Sequence, residues 1–315
     1  MNYTWSDLAF ASKAPLNDMN AIFILAPREM SRARLKQLIK NYLPQANLVI
    51  GIAQEDYVQG FEGQSQFRML KRAAVSALVD KVNSTSPAHV VATLIYPQRD
   101  AKFLLAKLKF KKVVAVNGSW QFVFHSRPEY YALQNAGITY ELVSPFFDEA
   151  EAKKFADDFR FDRPKPDGAA SDHELMALAR DAARESFDYN MQTGVALAKR
   201  VGTKYELITT AFNRVIPYQT YAMHHGASRE TNFAPMHDLN FYDTNHAEIE
   251  FLVKAQKSNL GLKNTTLFIN LMPCPTCARM FSITDISEFV YRQDHSGAQA
   301  VKILEQAGKK VRRLV

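Results

Sequence analysis

Cysteine is nearly absent: the 315-residue chain has two, Cys274 and Cys277. Two cysteines this close supply no disulfide framework, and a reducing, cytoplasmic setting is expected. Long apolar runs are missing as well. No stretch approaches the roughly 20 residues that a bilayer-spanning helix needs. Met1-Asn2-Tyr3-Thr4-Trp5-Ser6-Asp7 lacks the basic segment and apolar core of a secretory signal, so no membrane partner is expected. Glycine loops that cradle phosphate are missing too. Neither a P-loop nor G-x-G-x-x-G occurs, which leaves Walker-type kinase chemistry and dinucleotide binding without support. Charge of neither sign dominates. The formal net charge is +7, with most of the excess in residues 1–150, a magnitude expected of a solvated surface.

What is present is a chain 47% hydrophobic, enough for two domains with separate cores. In the first half, apolar runs at Ala21–Ala26, Asn47–Ala53, Val90–Tyr96 and Lys112–Val116 predict strands. The amphipathic stretches Ser31–Tyr42, Gln66–Val82 and Arg99–Phe110 predict helices. This alternation implies parallel βαβ units with helices on both faces of a sheet. The lysines between Lys102 and Lys112 are expected to form a solvated helix face, and His125 with Arg127 a surface or loop pair.

Phe147–Phe161 is acidic and helical in pattern, and Asp162–Ser171 contains two prolines, a glycine and small polar residues, a linker signal. The expected division is therefore residues 1–150, an acidic helix and linker at 151–171, and a second domain at 172–315. In the second half Asp172 is a candidate cap for a helix over His173–Phe187. Strands Thr193–Lys199 and Tyr205–Ala211 form a hairpin, and a polar loop over 212–245 follows. Beyond it come a helix at His246, strand Thr266–Leu271, a helix from Cys274, strand Ile286–Arg292, helix Ser296–Ala307 and strand Lys310–Leu314.

The chemistry is concentrated between His246 and Cys277. His246-Ala247-Glu248 and Pro273-Cys274-Pro275-Thr276-Cys277 spell H-x-E followed by P-C-x-x-C, the signature of the zinc deaminases. A catalytic zinc takes three protein ligands and leaves the fourth position to water. His246, Cys274 and Cys277 supply three. Glu248, two residues from a ligand, suits the proton transfers of a hydrolytic deamination. Asp243-Thr244-Asn245 is a plausible helix start and Pro273 suits a first turn, so two helix N-termini would converge on the metal. A C-x-x-C alone also fits a redox pair or half of a structural zinc knuckle. No further cysteine exists, so a closed structural site would need a second histidine.

In motif, spacing and element order, residues 172–315 resemble the cytidine deaminase superfamily, particularly its deoxycytidylate deaminases. The helix between the last two strands makes that pair parallel by the crossover rule, and the resemblance implies a three-layer α/β/α fold, one catalytic Zn2+ on His246, Cys274 and Cys277, and Glu248 as proton shuttle. It further implies substrate contacts at Asn213 and Ala247, with Asn213 also readable as a turn residue. Arg214, Arg229 and Arg279 are candidates for a substrate phosphate. His224, His225 and His237 lie where some relatives hold a second zinc with histidine and cysteine; cysteine is absent here, and a polar loop near the active site is expected. Phe212 and Ile249-Glu250-Phe251 depart from the usual family residues and leave substrate identity open.

Residues 20–145 resemble adenylyltransferase-type nucleotidyltransferases around Phe23–Leu35, Leu48–Glu55, Phe67–Leu70 and Val116–Trp120. The expected fold class is thus α/β, a Rossmann-like, nucleotidyltransferase-like domain preceding a cytidine deaminase-like one. Three functions stay open: deamination of a free cytosine nucleotide such as dCMP or dCTP, deamination of a base in tRNA or single-stranded DNA, and non-catalytic nucleotide sensing. A small-molecule nucleotide is the favoured partner over nucleic acid, because no basic arm or aromatic series is present, and the superfamily resemblance implies a homo-oligomer. The first domain lacks the H-x-G-H of its apparent relatives; Met30-Ser31-Arg32-Ala33-Arg34 stands there. Transfer of a nucleotidyl group needs that stabilisation of phosphate charge. The chain is therefore expected to release no pyrophosphate above background from a nucleoside triphosphate with pyridine or pantetheine acceptors, measured by a coupled phosphate assay.

Overall fold

The structure, a computed structural model, describes residues 2–10, 20–25, 28–85, 87–161, 168–235, 238–295 and 297–315. Ala26, the linker residues 162–167, His237 and Ser296 lie outside the described residues. The chain divides into two compact units, residues 1–158 with 220–242, and residues 159–219 with 243–315.

In the first unit β1 (Asn2–Thr4), α1 (Trp5–Ala9), β2 (Ala21–Leu25), α2 (Arg32–Tyr42), β3 (Asn47–Ala53), α3 (Arg72–Asn83), β4 (Val91–Tyr96), α4 (Ala101–Lys107), β5 (Lys112–Val116), α5 (Pro128–Ala136), β6 (Tyr140–Val143) and α6 (Glu149–Asp158) follow one another. The strands form one parallel sheet in the order β1-β4-β3-β2-β5-β6. Every residue of β2 is buried, as a central parallel strand covered on both faces requires. Gly51 in β3 admits a close approach, since a Cβ there would lie 2.8 Å from the Ile24 carbonyl oxygen.

Helix α3 begins at Arg72, later than its apolar pattern predicts. Ser65–Phe67 form a 3-10 turn, and Arg68 and Met69 are drawn into isolated bridges with Tyr57 and Arg28. The lysine run is largely tied back to its own unit: Lys107 donates to the Ala9 carbonyl, Lys111 to the Gln45 carbonyl, and Lys112 pairs with Glu141 at 2.8 Å.

The second unit begins with α7 (Asp172–Ala183), β7 (Gly194–Val201), β8 (Lys204–Phe212) and β9 (Arg214–Val215). After α8 (Tyr221–His225) and α9 (Ser228–Asn232), which belong to the first unit, it resumes with β10 (Thr244–Asn245), α10 (Ala247–Lys257), β11 (Thr265–Leu271), α11 (Pro275–Ser282), β12 (Glu288–Gln293), α12 (Gln299–Gln306) and β13 (Lys310–Arg313). Its main sheet runs β13-β12-β11-β7-β8. β11, β12 and β13 are mutually parallel, and β7 and β8 form the antiparallel hairpin. Helix α7 is capped by Ser171, whose side chain accepts from the Glu174 N–H while Glu174 accepts in return from the Ser171 N–H. This capping box displaces Asp172 from the cap; its carboxylate is occupied by Arg312 instead. Helix α7 lies tight on the start of β7, because a Cβ at Gly194 would come 2.1 Å from the Ala179 carbonyl.

Residues 220–242, read from sequence as a loop of the deaminase-like domain, are part of the first unit. Thr220 donates to the Ala152 carbonyl at 2.7 Å, and the Arg28 guanidinium donates to Met223 Sδ at 2.6 Å and to the Gln66 carbonyl. Arg28 is fully buried, which pulls its pKa down to about 10. The Glu230 carboxylate accepts from the Phe124 and His125 N–H groups and lies 2.8 Å from His125 Nδ1. His125 is therefore half-buried against Glu230 while Arg127 faces Glu129 at 3.4 Å, so the two do not form the surface or loop pair expected of them.

Arg312 joins three elements of the second unit. It donates to Asp172 at 2.6 Å, to Glu288 at 2.8 Å and to the Tyr205 hydroxyl at 3.1 Å. Its hydrogen bond holds the Asp172 carboxyl below the usual range. Burial pushes Glu288 up, but bonds from Arg312 and Lys310 outweigh it and leave that carboxyl depressed as well. Depressed carboxyls contribute stability that is present above their unfolded pKa of about 4 and is lost as pH falls through the folded values. Thermal unfolding followed by circular dichroism should show a falling Tm below about pH 4. Arg312→Met should flatten that fall and cost about 2 kcal/mol at neutral pH, less than a fully buried pair because the site is part-exposed.

Candidate active site

His246 is the N-cap of α10, with extended backbone (φ −63°, ψ 151°) and no side-chain bond to its own helix. The imidazole is thereby left to face the cysteines. The expected start at Asp243-Thr244-Asn245 is displaced, because Thr244 and Asn245 pair with Val215 and Arg214 as the short ladder of β10 and β9. Cys274 is the N-cap of α11, and its Sγ accepts from the Cys277 N–H at 3.4 Å. Pro275, rather than Pro273, occupies the first turn, where a proline loses no helical hydrogen bond.

Two helix N-termini thus meet. His246 Nδ1 lies 3.8 Å from Cys274 Sγ and 3.5 Å from Cys277 Sγ, and the three ligand atoms are all within 4.8 Å of one another. Zinc with about 2.3 Å bonds to sulfur and about 2.0 Å to nitrogen in a tetrahedron places such atoms about 3.5–3.8 Å apart. The residues fit the ion. Their protonation points the same way: the Cys277 hydrogen bond draws the Cys274 thiol down to about 3, and the same partnership pushes Cys277 up. A cation between the sulfurs replaces the proton they share. The bond to Cys274 raises His246. Among the described residues this is the group of histidine, cysteine and carboxylate side chains placed to hold a metal.

Glu248 lies in the first turn of α10, 3% exposed. Burial pushes its carboxyl pKa up against the opposing pull of His246. A carboxyl held above its ordinary range gives up a proton less readily than a free one and suits acceptance and return of a proton. Ala247 is wholly buried beside it.

Asn213, at the end of β8, is 4% exposed. Its Oδ1 accepts from the Thr193 N–H at 2.8 Å, and its Nδ2 donates to the Met191 carbonyl at 2.9 Å and to Asp188 at 3.2 Å. Asp188 also accepts from the Thr244 hydroxyl at 2.7 Å, two residues before His246. Sequence reasoning missed Asp188, whose side-chain partners lie 25 and 56 positions away; only its place in a polar turn after α7 could have marked it. Arg214 is half exposed and 3.9 Å from Glu250, and Arg279 is exposed. Arg229 belongs to the first unit, buried, donating to the Pro235 carbonyl and facing the Tyr242 ring. His224 and His225 are also in the first unit, where His224 Nδ1 bonds Ser144 at 2.7 Å.

Residues 169–293 match the model of the cytidine and deoxycytidylate deaminase zinc-binding region. These residues are a deaminase zinc-binding region. The chain is a zinc-dependent hydrolytic deaminase acting on the base of a nucleotide or nucleic acid. No curated protein matches it. Solved structures that it resembles include dCMP deaminase from the cyanophage S-TIM5 in complex with dCMP and dUMP, at 19% identity over 45% of this chain and 95% of that one, TM-score 0.35. A tRNA:A34 deaminase aligns at 19% identity over 45% and 91%, TM-score 0.29. Guanine deaminase from Nitrosomonas europaea aligns at 16% identity over 50% and 88%, TM-score 0.32.

Atomic absorption should find one zinc per deaminase chain. Cys277→Ala should retain well under half of that after dialysis, whereas Glu248→Gln should keep full occupancy.

Proposed function

We propose that this deaminase converts the cytosine base of a free nucleotide, of the dCMP or dCTP class, to uracil with release of ammonia. The observation that carries the reading is the buried Glu248, two residues along the chain from His246 in a group of three side chains that could hold a zinc; a zinc held by three protein ligands would keep its fourth position for water. When bound, zinc supplies the Lewis acidity that makes water nucleophilic near neutral pH. Glu248 takes the proton from that water as oxygen adds to the amidine carbon, and gives it to the ring nitrogen. It then carries the second proton to the amine, so that the C–N bond breaks and ammonia leaves. Ala247, without a side chain beyond Cβ, lets the base approach the backbone at the helix start, and Asn213 holds the sugar side. Arg214, next to Asn213 in the chain, is the candidate for the phosphate.

A free nucleotide is favoured over a polynucleotide because the main lysine run of the chain is already engaged. Lys107 and Lys111 donate to backbone carbonyls of the first unit, and Lys112 pairs with Glu141. A phosphate backbone would have to displace those partners before it gained the same cations.

The zinc-loaded chain should form the uracil product and ammonia from dCMP or dCTP faster than from CMP, cytidine or a cytosine-containing oligonucleotide, read by chromatography. Glu248→Gln should lower turnover by about 10²–10⁴-fold with zinc retained. Absence of any uracil product at full zinc occupancy would overturn the reading, and preferential turnover of the oligonucleotide would overturn the choice of a free nucleotide.

A further inference from the structure

Asp188 sits in the turn between α7 and β7, 6% exposed. Oδ1 accepts from the Asn190 N–H at 2.7 Å and the Met191 N–H at 3.3 Å. Oδ2 accepts from the Thr244 hydroxyl at 2.7 Å and from Asn213 Nδ2 at 3.2 Å. None of these four donors is a cation, so the buried carboxylate is held by neutral hydrogen bonds. Burial disfavours its ionised form, and the neighbouring charge of Asp243 adds to that.

The same bonds decide what Asn213 can do. A primary amide has two donor hydrogens and two acceptor positions. Both hydrogens are taken, by Asp188 and by the Met191 carbonyl, and one acceptor position is taken by the Thr193 N–H. The partners also fix which end is which: a carboxylate and a carbonyl can face only the NH₂ group, and an N–H only the oxygen. The capacity left to Asn213 is one lone pair on Oδ1. A ligand that touches this side chain must donate to it.

We propose that Asp188 is a positioning residue for substrate: it locks the Asn213 amide as an acceptor for a sugar hydroxyl, and through Thr244 it fixes the strand that enters His246. The proposal rests on the nucleotide deaminase reading above. Deoxycytidylate with an ionised phosphate has two donor groups, the exocyclic amine and the 3′-hydroxyl. The amine is the leaving group and belongs at Glu248, which leaves the hydroxyl for Asn213.

The test is steady-state kinetics of the zinc-loaded full chain with dCMP and with 2′,3′-dideoxy-CMP. The wild type should prefer dCMP by about 3–10-fold in kcat/KM, the worth of one hydrogen bond. In Asp188→Asn a donor faces the Asn213 NH₂ group, so one of the three bonds that hold the amide is lost and becomes a repulsion; the Oδ1 lone pair is no longer held on the hydroxyl and the preference should fall toward one. The change should be carried by KM for dCMP, with kcat within about twofold and zinc content unchanged. Asp188→Ser is the second variant. Its hydroxyl can still cap the turn at Asn190 but is too short to hold Asn213, so it should lose the preference in the same way. A loop-organising role alone would raise KM for both substrates equally and leave their ratio intact; that result in either variant, or a wild type indifferent to the hydroxyl, would overturn the proposal. A wild type that deaminates neither substrate would overturn the deaminase reading and this proposal with it.

Discussion

An imidazole and two thiols with their ligand atoms within 4.8 Å of one another are an unfavourable grouping without a cation. Cys274 and Cys277 then compete for one negative charge, so the first is drawn down and the second pushed up. The chain meets this constraint with backbone. His246 and Cys274 are both N-caps, so each helix directs its positive end at the ligand atoms. The helices are in turn held by the core that includes Phe251, Ala278 and Phe281 against Leu267 and Ile269 of β11. The metal site and the apolar core of the second unit are one arrangement.

The position of Glu248 follows from the same geometry. Placing a ligand at the N-cap puts the residue two further on into the first turn, still at the buried end of the helix. There, loss of solvent raises the carboxyl pKa. A carboxylate on the surface would stay ionised near neutral pH and return its proton poorly. The pairing of H-x-E in sequence is therefore a statement about helix geometry as much as about chemistry.

Much of this was legible in the residues. Apolar periodicity located most strands and helices, and the motif spacing picked out His246, Cys274 and Cys277, whose ligand atoms the fold brings within 4.8 Å of one another. The misreadings have specific causes. Asp243-Thr244-Asn245 has the composition of a cap, but Thr244 is engaged by Asp188 and pairs with Val215. Pro273 and Pro275 are equally good first-turn residues by type, and the backbone selects the second. Residues 220–242 could not be assigned from pattern at all, because their partners Ala152, His125 and Arg28 lie 68, 105 and 195 positions away.

That last segment changes how the molecule can be divided. The excursion leaves the second unit just after β9 and returns just before β10, and its two ends are tied by the hydrogen bond from the Ile216 N–H to the Asp243 carbonyl at 2.8 Å. In topological terms it is an insertion at the tip of a hairpin. A cut at the interdomain linker alone would strand its buried side chains, Met223, Arg229 and Glu230 among them, away from the unit whose core they complete. An excised deaminase domain would need a second edit, a short turn joining the two strands of that ladder.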